Sequence, residues 1–168
     1  MFSQTTEHAI RALIEIATRD EGSQVLSSEL SGLLEIPQHY LSKILQQLVR
    51  AKVLKSTRGR NGGFSLAMPA EKIKLREIVL PFEDLSRYDE CILGQVLCSN
   101  ESACPLHEFW GGARDSFLHE LDTRTLKNLS DSQMKRLATM APKLKGKLGN
   151  IPGKAAHKAS NAKSKAKK

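Results

Sequence analysis

Outside one segment of 14 residues, this 168-residue chain has no cysteine. The count, three, is odd, and no basic stretch followed by an apolar run opens the chain, so a disulfide framework of the secreted type is not expected. No apolar run approaches the roughly 20 residues that a membrane-spanning helix needs. A soluble, cytoplasmic chain with no membrane partner is the expectation. Acidic residues are missing from two long stretches, Ile36 to Ala70 and Lys143 to Lys168, and the second of these holds nine lysines. The formal net charge of +8 therefore belongs to that tail, because residues 1–142 carry 17 basic against 18 acidic groups. Large apolar residues are also scarce there, too few to bury the surface that folding requires, so residues 143–168 are expected to form a disordered basic tail. Such a tail either attracts phosphates in a salt-sensitive way or only keeps the chain in solution.

The cysteines, Cys91, Cys98 and Cys104, lie in CILGQVLCSNESACPLH, which ends at His107. A single cysteine is commonly a small buried hydrophobe. Three so close together, with none in the other 154 residues, are not what random core filling produces. Gly94, Ser99, Asn100 and Ser102 favour a loop, and in a loop the thiolates can converge on one point, which makes a metal or cluster site the expectation. Zinc accepts three Cys and one His, yet its structural sites usually use C-x2-4-C pairs, whereas the gaps here are six and five residues. Iron-sulfur clusters tolerate looser spacing. Spacing thus leans towards iron-sulfur and keeps zinc, or a metal-free thiol-redox loop, as the alternative. Use of Cys104 and His107 as nucleophile and base lacks a third, orienting group, so an enzyme is not expected.

Earlier in the chain, Ile10, Leu13, Ile14 and Ala17 form an i, i+3, i+4, i+7 stripe, which predicts an amphipathic helix over 4–19. Ser27 is placed to cap a short second helix carrying Leu30, Leu33 and Leu34 on one face. After a break at residues 35–37, with Pro37 opening the next helix, Leu41, Ile44, Leu45 and Leu48 repeat the stripe. The opposite face of that third helix holds Gln38, His39, Ser42, Lys43, Gln46, Gln47 and Arg50, so helix-turn-helix is the natural reading. Residues 53–57 and 64–67 alternate as two short strands around RGRNGG, a glycine-rich wing tip. Six cations, Lys43, Arg50, Lys52, Lys55, Arg58 and Arg60, occupy this acid-free island. It is the expected surface for double-stranded DNA, with Ser56, Arg58 and Arg60 on the wing and the guanidinium groups suited to a minor groove. A short helix is expected over 75–82, interrupted by Pro81. Beyond the cysteines, Pro105 is expected at the first helical position, and Leu106, Trp110, Ala113, Phe117 and Leu121 recur at spacings of four and three, a seam that predicts dimerisation rather than internal core. Leu126 and Leu129 are expected to fold back onto the body, with one more short helix around Met134, Leu137 and Met140.

These pieces resemble the Rrf2 family of bacterial winged-helix transcription regulators, whose members include IscR-, NsrR- and RirA-like proteins. The resemblance rests on TTEHAIRAL, YLSKILQQL, STRGRNGGFSLA, the three-cysteine loop, CPLHEFW and TRTLKNL, and covers about residues 1–130. It implies a mainly α fold with a small β-wing, a winged helix-turn-helix over 1–84, a cysteine loop over 85–104, and a long C-terminal dimerisation helix with its fold-back segment over 105–142. It also implies a homodimeric regulator, a repressor, that binds an operator under the control of a 2Fe-2S or, less favoured, a 4Fe-4S cluster. Cys91, Cys98 and Cys104 match the cluster ligands. His107 lies where IscR-type members place a histidine, and Glu7 where NsrR-type members place an acidic ligand donated by the other subunit, so the fourth ligand stays open.

Overall fold

The computed structural model describes residues 2–59, 62–94 and 103–148, with side chains to residue 139. Arg60, Cys98 and the tail beyond residue 148 lie outside the described residues. Two units divide the chain, Met1–Lys135 and Arg136–Lys168. Among the described residues no helix is long and apolar enough to cross a membrane.

The apolar stripes place the first three helices where their periodicity predicts. Helix α1 (Gln4–Ala17) buries Ala9, Ala12, Leu13 and Ile16, α2 (Ser27–Leu34) buries Leu30, and α3 (Gln38–Arg50) buries Leu41, Ile44, Leu45 and Leu48. These residues share one core with Val25, Ile73, Ile78 and Leu126. Helix α1 ends at Ala17 rather than 19, because the Thr18 hydroxyl donates to the Glu15 carbonyl at 2.8 Å and Gly22 takes φ of +81° in the turn that follows. Between α2 and α3, Glu35 adopts the left-handed conformation (φ 56°) and Ser31 Oγ donates to the Ile36 carbonyl at 2.7 Å, which closes the helix-turn-helix. Pro37 is the residue before α3, not its first.

The wing pairs β1 (Leu54–Thr57) with β2 (Gly63–Leu66) in antiparallel register, Leu54 opposite Leu66 and Thr57 opposite Gly63. A contact from far upstream completes it: Val25 exchanges two 2.9 Å backbone hydrogen bonds with Phe64. This bridge holds the chain extended through Leu26, so α2 starts at Ser27 with no side-chain cap, and Ser27 is not the cap that its residue type suggests. Glycine at position 63 is required by the same contact, since a Cβ there would stand 2.7 Å from the Val25 carbonyl oxygen.

After α4 (Leu75–Val79) the chain passes a 3-10 turn (Leu85–Asp89) and reaches α5 (His107–Thr123). Leu106 is the cap of α5, so Pro105 lies before the helix rather than at its first position. The Leu106–Leu121 seam is split. Leu121 joins a second core cluster with Val79 and Leu85, and Phe117 packs against it, whereas Leu106 is 40% exposed and its neighbour Phe109 69% exposed. Leu126 does fold back: it is fully buried, and its N–H bonds the Ile73 carbonyl at 2.8 Å. It opens a single helix, α6 (Leu126–Leu148), of 23 residues in place of the short one expected further on. No glycine or proline stands between Leu126 and Pro142 to end it sooner. Its last turns include residues 143–148, the first part of the basic tail.

The start of α1 is fastened by a residue 80 positions away. Glu83 accepts hydrogen bonds from the Ser3 N–H at 2.7 Å and from the buried Thr6 hydroxyl at 2.5 Å, a carboxylate at a helix N-terminus. The Thr6 hydroxyl and then Ser3 hold the Glu83 carboxyl below the usual glutamate range. A depressed carboxylate stabilises the fold above its unfolded pKa and loses that contribution as pH falls through the folded value. Glu83→Ala is therefore expected to cost about 0.5–1 kcal/mol at neutral pH. It should also flatten the loss of stability towards acid, as followed by urea denaturation between roughly pH 6 and 3. Parallel pH profiles for the two proteins would show that the carboxylate contributes nothing as an anion.

Candidate DNA interface and cysteine loop

One face of α3 is core and the other is open. Gln38, His39, Lys43, Gln46 and Arg50 are exposed and Ser42 is half-buried, while the four apolar positions between them are buried. Tyr40 reaches back to α1: its hydroxyl lies 2.7 Å from Thr5 Oγ1 and its ring meets His8 edge-on. These contacts fix the roll of α3 about its axis and had no signature in the spacing. Ser56 on β1 and Arg58 just after it are exposed. Gln46 and Arg50 of α3 line one groove of 340 Å³ together with Ser56, Arg58 and Phe64 of the wing. The fold thus brings the helix and the wing together as one surface.

Electrostatics distinguish that surface from an ordinary solvated face. Every ion pair among the described residues uses Arg19, Arg76, Arg114, Arg124 or Lys127. Lys43, Arg50, Lys52 and Arg58 are exposed and have no such partner among the described residues, whereas Lys55, also unpaired, faces a cavity that carboxylates line. Cations left without carboxylates, on a strip without an acid, are available for phosphates. Arg50→Ala is expected to weaken operator binding and to lower the slope of log K against log salt by about 1. An unchanged slope in a salt titration would place Arg50 away from phosphate.

The cysteine loop is pinned at both ends. Cys91 is buried (8% exposed) and begins a turn in which the Gly94 N–H bonds its carbonyl at 2.8 Å, with Gly94 at φ +71°. Cys104 is half-buried, and its carbonyl accepts the His107 N–H at 3.0 Å as α5 begins. His107, the first residue of α5, is half-buried. Trp110 Nε1 donates to the carbonyl of Glu90, the residue before Cys91, at 3.1 Å, and the Trp110 ring stacks on Tyr88. Trp110 therefore joins the residue before Cys91 to the first turn of α5. From there Tyr88, Phe117 and Phe2 form a run of ring contacts, with centroids 5.0 and 5.8 Å apart, to the segment that opens α1. The run escaped sequence reasoning because these rings are 29 to 115 residues apart.

Among the described residues no three His, Cys, Asp or Glu side chains stand together as a metal site. Cys98 is not among them, and Glu7 is exposed on α1. By chemistry alone the donors suit a cluster, two thiols and an imidazole with a third thiol between them in the sequence, but Cys91, Cys104 and His107 do not stand together as a site among the described residues.

Helix α5 is tied to the winged domain by a two-point ion pair, Arg76 Nε and Nη2 donating to the two Asp122 oxygens at 2.6 and 2.9 Å. The hydrogen bonds from Arg76 hold the Asp122 carboxyl below the usual aspartate range.

The sequence model of the Rrf2 family, described as an iron-dependent transcriptional regulator, matches residues 2–132. Among solved structures, the chain is similar to CymR of B. subtilis, described as a global cysteine regulator, with a TM-score of 0.66 and 22% identity over 79% of this chain and 97% of that one. It is similar to CymR of Staphylococcus aureus at 0.61 and 26%, over 76% and 96%. It also matches IscR of T. potens at 0.62 and 20%, over 79% and 88%. With cations on α3 and the wing that have no ion-pair partner among the described residues, and a family match over residues 2–132, the chain belongs to the Rrf2 family of DNA-binding transcription regulators.

Proposed function

We propose that this protein is a homodimeric repressor whose affinity for its operator is set by an iron-sulfur cluster, 2Fe-2S in preference to 4Fe-4S. Cys91, Cys98 and Cys104 are its thiolate ligands, and His107 or Glu7 of the partner subunit is the fourth. The observation that carries this reading is the hydrogen bond from Trp110 to the Glu90 carbonyl, which ties the residue before Cys91 to the first turn of α5, the helix that His107 opens. When bound, a cluster supplies a set of thiolate bonds that respond to iron supply and oxidation. The chain's own residues do the rest. Gln38, His39, Ser42, Lys43, Gln46 and Arg50 face the operator from α3, and Ser56, Arg58 and Arg60 from the wing. The Arg76–Asp122 pair and the Tyr88, Phe117 and Phe2 rings connect α5 to the domain that carries them. The exposed Leu80, Leu106 and Phe109 supply apolar surface for a second copy. A cluster-dependent position of α5 would alter the spacing of two recognition helices, and differential affinity between two such arrangements is all that a switch requires.

Anaerobic purification, an absorption spectrum, and iron, sulfide and zinc analysis test the cofactor. Operator affinity with and without the cluster, on a site selected from random DNA, tests the switch. Visible charge-transfer bands with matched iron and sulfide, and two different affinities, are expected. Colourless protein that resists reconstitution would leave a winged-helix regulator whose loop holds zinc or works by thiol redox chemistry. Equal affinities for the loaded and cluster-free forms would sink the switch.

A further inference from the structure

A second cavity, sharing no residue with the groove between α3 and the wing, opens where α1 ends. Its volume is 540 Å³, large enough for a small organic molecule. Ile16, Leu66, Met68 and Met134 contribute an apolar wall, and four carboxylates, those of Asp20, Glu21, Glu71 and Asp131, lie around it. Two of its three cations are already engaged: Arg19 pairs with Glu15 and Glu29, and Lys127 with Asp131. That leaves Asp20, Glu21 and Glu71, with no ion-pair partner among the described residues, against Lys55 alone. The backbone adds to the same sign. Residues Ile16, Ala17 and Thr18 at the C-terminal end of α1 line the cavity, and the last turn of α1 contains no basic residue to offset the partial negative charge of that end.

We propose that this cavity is a binding site for an amphiphilic organic amine, whose ammonium group meets the Asp20, Glu21 and Glu71 carboxylates while its apolar body lies on Ile16, Leu66, Met68 and Met134. An inorganic cation would leave the apolar wall unused, and an anion would face uncompensated carboxylates. The site draws on α1, on both strands at the base of the wing hairpin through Lys55 and Leu66, and on the first turns of α6 through Lys127 and Met134. It is independent of the cysteine loop and stands whether or not a cluster is bound.

The test is a titration of the isotope-labelled full chain, followed by amide NMR, with three probes of one shape: phenethylamine, 2-phenylethanol and 3-phenylpropionate. Phenethylamine is expected to give saturable shifts at Ser23, Lys55, Glu71 and Ser130, with the alcohol binding about fivefold more weakly and the acid weaker still. The double variant Asp20→Asn, Glu71→Gln should bring the amine down to the affinity of the alcohol. Absence of saturable shifts at these amides, equal affinities for amine and alcohol, or an amine affinity untouched by the double variant would each overturn the assignment.

Discussion

Cys91→Ala protein is expected to emerge from anaerobic purification folded, with most of its iron, sulfide and visible absorption lost. The residue is 8% exposed and begins the turn that closes on Gly94, so the substitution removes one buried sulfur and leaves the backbone contacts of the turn in place. Its stability cost is that of a small truncation, about 1 kcal/mol, well inside the margin of an ordinary domain. For a cluster the same change is severe. In the ligand set proposed above, one of three thiolates would disappear, leaving only Cys98, Cys104 and a fourth ligand to hold the cluster. Circular dichroism and a thermal midpoint near the parent's establish that the fold survives, and metal analysis reads the site. Should Cys91→Ala retain its full complement of iron, Cys91 would be a core residue and the ligand set would have to be sought elsewhere. Cys104→Ala, at the half-buried exit of the loop, is expected to behave in the same way with a smaller effect on stability.

The second large effect concerns the fold rather than the cofactor. Leu126→Ala should cost about 3 kcal/mol in urea denaturation. Leu126 is fully buried in the same core as Ile73 and Ile78, although it lies far beyond the winged domain in sequence. Three backbone bonds accompany it: Leu75 N–H to the Arg124 carbonyl at 2.9 Å, Leu126 N–H to the Ile73 carbonyl at 2.8 Å, and Lys127 N–H to the Ala70 carbonyl at 3.2 Å. Alanine leaves a cavity at the point where the start of α6 is sewn onto the segment before α4, and these backbone groups cannot move far to fill it. Leu129→Ala, at a half-buried position one turn on, is expected to cost no more than about half as much. A Leu126 cost below about 1 kcal/mol would mean that the start of α6 is not part of the cooperative core.

Both experiments separate what local sequence specifies from what it does not. The three helices of the DNA-binding domain were legible because Ile10, Leu13 and Ala17, or Leu41, Ile44 and Leu48, repeat at a period that only a helix satisfies. The wing was legible because Gly59, Gly62 and Gly63 interrupt two short alternating runs. The acid-free strip needed only counting. By contrast, Ser27 was a sensible cap by residue type, yet the Val25–Phe64 bridge holds the chain extended one residue longer and makes Leu26 the cap. The α5 seam is uniform in sequence, yet Leu121 and Phe117 go into this chain's own second core while Leu106 and Ala113 stay exposed. Apolar periodicity marks a face for burial without saying what buries it.

The sequence by itself determined the helix-turn-helix, the wing, the unacidified basic strip, and the clustering of three cysteines and a histidine within residues 91–107. All of these rest on residues a few positions apart, where side-chain period and turn chemistry act directly. The tertiary structure alone decided the pinning of the loop by Trp110 and Glu90, the fastening of α1 by Glu83, the docking of α5 by Arg76 and Asp122, and the cavity at the end of α1. Each joins groups 20 or more residues apart in the chain, and such pairings are selected by the packing of the whole core, which no local pattern of residues encodes.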